Sequence, residues 1–131
     1  MGIEYKIDAV SRTVFIRCAD EIDVNQFFRT TDQLRSDPLF DPDYNAVIDF
    51  TDVTKADAPY AELRHFAKSE KGTPFSPKAR RVAVAPQDFM YGVMRMYQAL
   101  RNEEQFEVVR TRAEAQQLLG RDRAASAGSE G

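Results

Sequence analysis

The alternation of apolar and polar residues at the start of the chain predicts a β-hairpin. In residues 3–8 every second side chain is apolar, which is typical of a strand with one face on a core and the other in water. Residues 12–18 repeat the pattern after a short turn, and so short a connection favours antiparallel pairing. The second strand has Val14, Ile16 and Cys18 on one side and Phe15 on the other.

Apolar residues spaced three and four apart predict four helices. The first three cover residues 24–36, 58–70 and 87–102, and the fourth follows Thr111 and ends at Gly120. We expect Asp23, Asp57 and Thr111 to be N-caps, because their side-chain oxygens can accept hydrogen bonds from first-turn N–H groups.

The third helix has an unusually wide apolar surface. One line of residues consists of Phe89, Val93, Met96 and Leu100, and it is widened by Met90, Met94 and Tyr97. Two interpretations stay open: a broad contact with a neighbouring helix, or an adaptable, methionine-rich binding surface.

The fold is organised around the stretch from Asn45 to Tyr60. Its apolar run, residues 46–50, is bounded by polar residues, which is typical of a central strand covered on both faces. Similar runs at 79–85 and 106–110 predict two further strands.

The resulting order is β-β-α-β-α-β-α-β-α, which predicts an α/β fold. The N-terminal hairpin leads into parallel strands, and together they form a five-stranded mixed sheet with four helices and right-handed crossovers. We expect one domain over residues 1–120. Residues 121–131 lack apolar bulk, so a disordered tail is expected there.

The polar segment after the central strand is the first candidate site. Open α/β sheets place ligands at the carboxyl ends of their strands. Side-chain oxygens would meet the N–H groups of the second helix there, and such groups suit an anion or a partner's carboxylate. The site residues are Thr51, Asp52, Thr54, Asp57 and Tyr60.

Net charge narrows the classes of partner. The 131 residues carry a formal net charge of −3, which favours neither nucleic acid nor an anionic membrane.

No apolar run approaches the roughly 20 residues that span a bilayer. The start of the chain lacks a basic region followed by a long apolar one, so no secretory signal is expected. These features predict a cytoplasmic protein without a transmembrane segment.

The scarcity of cysteine and histidine argues against a metal site or another cofactor. Cys18 is the only cysteine, so there can be no internal disulfide, and we expect a small buried side chain. His65 is the only histidine and should lie on the surface. Asp49 and Asp52 are better explained by loop hydrogen bonds than by metal binding or acid–base chemistry.

An enzyme is the least favoured class. The chain has no Walker-type or dinucleotide-binding glycine motif. The basic residues Lys78, Arg80 and Arg81 could bind an anion, but a solvated strand end explains them better.

The element order and one segment resemble STAS domains, the fold of bacterial anti-sigma-factor antagonists, and especially the SpoIIAA-like branch with its STAS/SEC14-type fold. The segment runs from Ile48 to Tyr60 and reads IDFTDVTKADAPY. Asp57 falls on an aspartate of the family, Ala58 and Pro59 fall on two serines, and Tyr60 falls on a glycine.

The resemblance implies a non-enzymatic regulatory domain that binds a protein. In the antagonists a serine at this helix start is phosphorylated, which adds about two negative charges. Ala58 and Pro59 have no hydroxyl group, so that switch cannot operate at these positions. Thr51 and Thr54 remain as possible phosphate acceptors in the same loop.

The SEC14-type likeness implies an alternative function, the carriage or sensing of a small apolar, lipid-like ligand. The ligand would lie in a cleft between the second and third helices, with residues 71–78 as a lid. The predicted lining is Tyr60, Phe66, Phe75, Met90, Met94 and Tyr97. Separately, Tyr5, Phe15 and the open hairpin edge leave room for a homodimer.

Overall fold

A computed structural model describes residues 2–69, 74–101 and 105–120, and it has the predicted order of elements. The predicted tail, residues 121–131, and most of the first half of the predicted lid lie outside the described residues. The strands are β1 (Ile3–Asp8), β2 (Thr13–Asp23), β3 (Asn45–Asp57), β4 (Arg81–Val84) and β5 (Phe106–Val109). The helices are α1 (Val24–Ser36), α2 (Tyr60–Lys68), α3 (Asp88–Arg101) and α4 (112–120).

The five strands form one mixed sheet in the order β1-β2-β3-β4-β5. β1 and β2 pair antiparallel, as the short turn between them predicts, and all other neighbours pair parallel. β3 is therefore the middle strand, and its burial alternates because the two faces of the sheet meet different helices.

The two faces are covered unequally. Helices α1, α2 and α3 pack on the face formed by Val14, Ile16, Ile48 and Phe50, and this side holds the larger core. The opposite face packs against α4, whose Ala115 and Leu119 contact Val47, Val82 and Val84. On that face the β1–β2 hairpin lies outside the core, which leaves Phe15 43% exposed.

The predicted N-caps of α1 and α4 are confirmed, but that of α2 is wrong. The Asp23 side chain accepts a hydrogen bond from the N–H of Gln26, and the Gln26 side-chain oxygen accepts one from the N–H of Asp23, which forms a capping box. Thr111 caps α4 through the N–H of Glu114. Asp57 does not cap α2, because β3 continues through Asp57 and the helix begins only at Tyr60.

Both central strands are longer than predicted. β2 was expected to end at Cys18 and β3 at Phe50, yet they pair with each other as far as Asp23 and Asp57. Two register shifts in this region, between Arg17 and Ala19 and between Asp20 and Glu21, accommodate the polar residues that hid the strand pattern.

The buried side of α3 is centred on Met90, Met94 and Tyr97. The sequence had predicted that it would be centred on the line that contains Phe89 and Met96. Phe89 and Met96 are 45% and 43% exposed. The helix contacts both α2 and β5, and in this orientation Met90 and Met94 face the core.

Candidate functional site

The first candidate site lies where β3 extends beyond β4. Pairing between these strands ends at Asp49 and Val84, so the upper part of β3 has a neighbouring strand only on the β2 side. On the other side, Gln87 Nε2 donates hydrogen bonds to the carbonyls of Phe50 at 2.8 Å, Thr51 at 3.2 Å and Val53 at 2.7 Å. One amide thus satisfies strand carbonyls that β4 is too short to reach.

The predicted site residues do not share one face of the sheet. Asp52 forms a 2.7 Å ion pair with Arg17, which lies beside Phe15 on the face that carries α4. Asp57 instead lines a cavity on the side of α1, α2 and α3. Thr54 and Tyr60 are exposed, and Tyr60 as a whole residue is 57% accessible.

Asp49 and Asp52 each have structural partners, although both lie in β3 and not in the loop where the sequence placed their hydrogen bonds. Asp49 lies within β3 and accepts hydrogen bonds from the N–H and hydroxyl of Thr51 and from Arg112 of α4 at 2.7 Å. Burial raises the pKa of Asp49, but these hydrogen bonds outweigh it, and the net pKa lies below the usual value. In the described ranges, no group of three or more His, Cys, Asp and Glu side chains could hold a metal ion.

A cavity of about 90 Å³ lies between the sheet and the three helices, and it is the second candidate site. Five of the six predicted cleft residues line it: Phe66, Phe75, Met90, Met94 and Tyr97. Tyr60 does not, because it lies at the exposed start of α2. The structure thus brings the apolar set together, and its role in binding stays a prediction.

Aromatic contacts form much of the cavity wall. The Tyr97 ring lies 5.8 Å from Phe66 and 5.2 Å from Phe106, measured between centroids. Phe75 follows the undescribed residues 70–73 and packs edge-on against Phe40 at 5.3 Å. The described half of the predicted lid is therefore held against the core.

Sequence reasoning missed the positions of two residues, Arg81 and Gln87. Arg81 was expected at a solvated strand end, but it is 3% exposed, lines the cavity and lies over the Phe106 ring at 5.7 Å. Burial lowers the pKa of its guanidinium. For Gln87 the only signal was a polar residue immediately before α3, which sequence alone cannot distinguish from an ordinary loop residue.

Cys18 and His65 lie where the sequence predicted. Cys18 is fully buried, and burial raises the pKa of its thiol, so the sulfur stays protonated and poorly nucleophilic. His65 is exposed, with its ring 5.9 Å from that of Phe28.

Comparison with solved structures identifies the architecture. A DUF3478-family protein from Shewanella loihica PV-4, described as having a SpoIIAA-like fold, superimposes with a TM-score of 0.58. It is 18% identical, and the match covers 90% of this chain and 94% of that one. The fold is SpoIIAA-like. The unphosphorylated anti-sigma factor antagonist SpoIIAA itself superimposes with a TM-score of 0.53 at 15% identity, over 92% of this chain and 97% of the antagonist.

At sequence level no family model and no curated protein matches the chain. The shared feature with both structures is therefore the SpoIIAA-like fold. No helix within the described residues is both long and apolar enough to cross a membrane.

Proposed function

We propose that this chain is a non-enzymatic STAS-type binding domain whose protein partner contacts the junction between β3 and α2. The observation that carries the proposal is the exposed group at this junction, formed by Thr54, Asp57 and Tyr60. A tyrosine with more than half of its surface in water supplies contact area at low entropic cost, which is why this residue is common in binding surfaces.

The charges around the junction favour a partner with basic side chains. Asp20 and Glu21 of β2 are exposed beside the upper part of β3, and Glu62 lies in the first turn of α2. With Asp57 these are four acidic side chains, against Lys55 of β3 and the exposed Arg64 of α2. Acidic neighbours repel a free anion from the N-terminus of α2, so a protein surface fits the junction better than an anion does.

The junction also differs from that of a phosphorylated antagonist. Ala58 and Pro59 occupy the positions that resemble the family's serines, and neither can accept a phosphate. The Thr51 hydroxyl donates to Asp49, whereas Thr54 is exposed. We therefore infer constitutive binding, with Thr54 as the one residue of this pair accessible to modification.

Cross-linking in the native cell, followed by mass spectrometry, tests the proposal. We expect Tyr60→Ala and Asp57→Lys each to abolish cross-linking to the partner that the wild type captures. Phe89→Ala is the matched control, because Phe89 is also a partly exposed aromatic side chain but lies on α3. Partner capture unchanged by Tyr60→Ala and Asp57→Lys would contradict the junction as the binding surface.

The cavity supports a second candidate function, binding of a small apolar ligand. Its volume of about 90 Å³ is smaller than the roughly 150 Å³ apolar cavity that holds benzene in an engineered protein. A small apolar group therefore fits, whereas a longer lipid chain requires α2 and α3 to separate.

Xenon under pressure, followed by amide chemical shifts, tests whether the cavity can be occupied. Shifts are expected around Met94 and Phe66 in the wild type and should be much smaller in Ala58→Leu, which places a larger side chain at the lining. Ala99→Leu, on the exposed side of α3, is the control. Native mass spectrometry of protein purified from its own cells then identifies any ligand, and a mass equal to the bare chain would count against a carrier.

A further inference from the structure

The outer edge of β1 has open main-chain hydrogen-bonding groups. Among the described residues, β1 lies at the end of the sheet with β2 as its only neighbouring strand. The N–H of Ala19 donates to the carbonyl of Gly2 at 2.7 Å, which identifies Gly2 and Ala19 as a hydrogen-bonded pair. Because such pairs alternate along an antiparallel ladder, Glu4 and Lys6 also bond to β2, and the main-chain groups of Ile3, Tyr5 and Ile7 point outward.

The sequence of β1 is chemically symmetric about Tyr5. Reading outward from Tyr5, Glu4 faces Lys6 and Ile3 faces Ile7. In an antiparallel pair centred on Tyr5, Glu4 of each copy lies opposite Lys6 of the other, and Ile3 lies opposite Ile7. The same centre makes the outward rows of the two copies complementary, since residues 3, 5 and 7 all fall in hydrogen-bonded positions.

We propose that two copies of this chain associate through β1, antiparallel and centred on Tyr5, so that their sheets become one continuous sheet. This inference goes beyond the proposed function, because it concerns the outer edge of β1 and not the β3–α2 junction. A two-fold axis of this kind is the commonest symmetry of soluble oligomers.

The side chains of β1 keep exposed apolar surface that would be buried if a second copy paired with this edge. Ile3, Tyr5 and Ile7 pack against the larger core but are only partly buried there. A second sheet would cover their remaining apolar surface. On the other face Glu4 and Lys6 are exposed, and the loose 3.7 Å contact of Glu4 with Arg17 leaves its carboxylate able to reach a lysine across the axis.

Charges on an edge strand can also protect a monomer from association. The two roles predict opposite effects of mutation. If Lys6 and Glu4 join two copies, reversing one charge weakens the dimer and reversing both restores it. If instead they keep copies apart, the wild type is already a monomer without any change of charge at Glu4 or Lys6.

Sedimentation equilibrium of the full chain over a wide concentration range is the first experiment. The wild type is expected to form dimers. Lys6→Glu should weaken the dimer about tenfold or more, because two attractive cross-strand pairs become two repulsive ones. The double variant Glu4→Lys/Lys6→Glu should recover it. Lys78→Glu, an equal charge change at an exposed residue away from β1, should leave the association unchanged.

Disulfide trapping is the second experiment and tests the register. In the proposed pair the two Tyr5 Cα atoms lie about 5.5 Å apart, a distance that a disulfide can bridge. Under mild oxidation Tyr5→Cys should therefore cross-link two copies, whereas Ile3→Cys should not, since its counterpart lies several residues away. The buried Cys18 does not compete. Circular dichroism establishes that each variant is folded.

A wild type that stays monomeric at the highest concentration overturns the proposal. So does a dimer that Lys6→Glu leaves as strong as the wild type, or one in which Ile3→Cys cross-links as readily as Tyr5→Cys. None of these three results bears on the β3–α2 junction, so the two proposals fail independently.

Discussion

The lower part of β3, residues 45–50, is paired with β2 and, over residues 46–49, also with β4, whereas the upper part, residues 51–57, has a strand on one side only. In the lower part Ala46, Ile48 and Phe50 are buried in the larger core. In the upper part Val53 is the one fully buried apolar side chain, and the remaining edge is closed by the Gln87 amide. One strand is thus stabilised by packing at one end and mainly by hydrogen bonds at the other.

This difference explains why exposed side chains lie together on the upper part of β3. Residues in a strand between two neighbours and under a helix layer are committed to the core, because burial provides most of their stabilisation. Between Thr51 and Asp57 only Val53 meets that requirement, so polar side chains can face solvent while the backbone stays paired with β2. A rigid support for exposed groups is what a binding surface needs.

Among the variants that test this difference between the two parts of β3, Phe50→Ala is expected to change the free energy of unfolding most. Phe50 is 1% exposed, and Phe50→Ala should lower the free energy of unfolding by about 3–5 kcal/mol through lost burial and the cavity left behind. Thr54→Ala in the upper part should change it by less than about 0.5 kcal/mol. Urea denaturation measures both, and similar losses for the two variants would show that the halves of β3 are held alike.

A smaller effect is expected from Gln87→Leu. This change keeps the side-chain bulk but removes hydrogen bonds to three partly buried carbonyls, at a cost of about 1–3 kcal/mol. Amide hydrogen exchange should accelerate in residues 51–57 while residues 46–49 stay protected.

Gln98→Leu is the control for Gln87→Leu. Gln98 Nε2 donates to the carbonyl of Phe106, so its loss should affect β5 rather than β3. An exchange pattern that is the same in both variants would contradict a specific role for Gln87.

The smallest effect is expected from Asp49→Asn, and it depends on pH. The pKa of Asp49 in the folded protein lies below its usual value, so the carboxylate stabilises the fold above the unfolded pKa of about 3.9. That contribution is lost as pH falls through the lower, folded pKa. The variant should be less stable than the wild type at pH 7, and the difference should shrink below about pH 4.

Urea denaturation across this pH range measures the effect of Asp49→Asn. Stability curves that run parallel for variant and wild type down to pH 2 would show that the bonds from Thr51 and Arg112 do not favour the charged form.

Most of the element order could be read from the sequence, because periodicity records which side chains must be buried. β1 was predicted at its observed bounds, and Asp23 was placed correctly as the cap of α1. The apolar cavity residues were also foreseen as a group, since Met90, Met94 and Tyr97 gave α3 more apolar surface than one contact requires.

The errors in strand length have one physical origin, which is that strand pairing leaves no pattern when side chains are exposed. β3 continues through Asp52, Thr54 and Asp57 because β2 runs beside it, and neither strand shows alternation there. The same extension moved the start of α2 to Tyr60 and divided the predicted site between two faces of the sheet.

By itself, the sequence determined the α/β class, the order of elements and the absence of a hydroxyl group at residues 58 and 59, because each follows from local side-chain chemistry. Only the tertiary structure decided how far β2 and β3 extend, that Gln87 closes an open strand edge and that Arg81 is buried beside the cavity. These features depend on contacts between residues far apart in the chain, and local patterns carry no record of which distant segment supplies a hydrogen bond or a covering side chain.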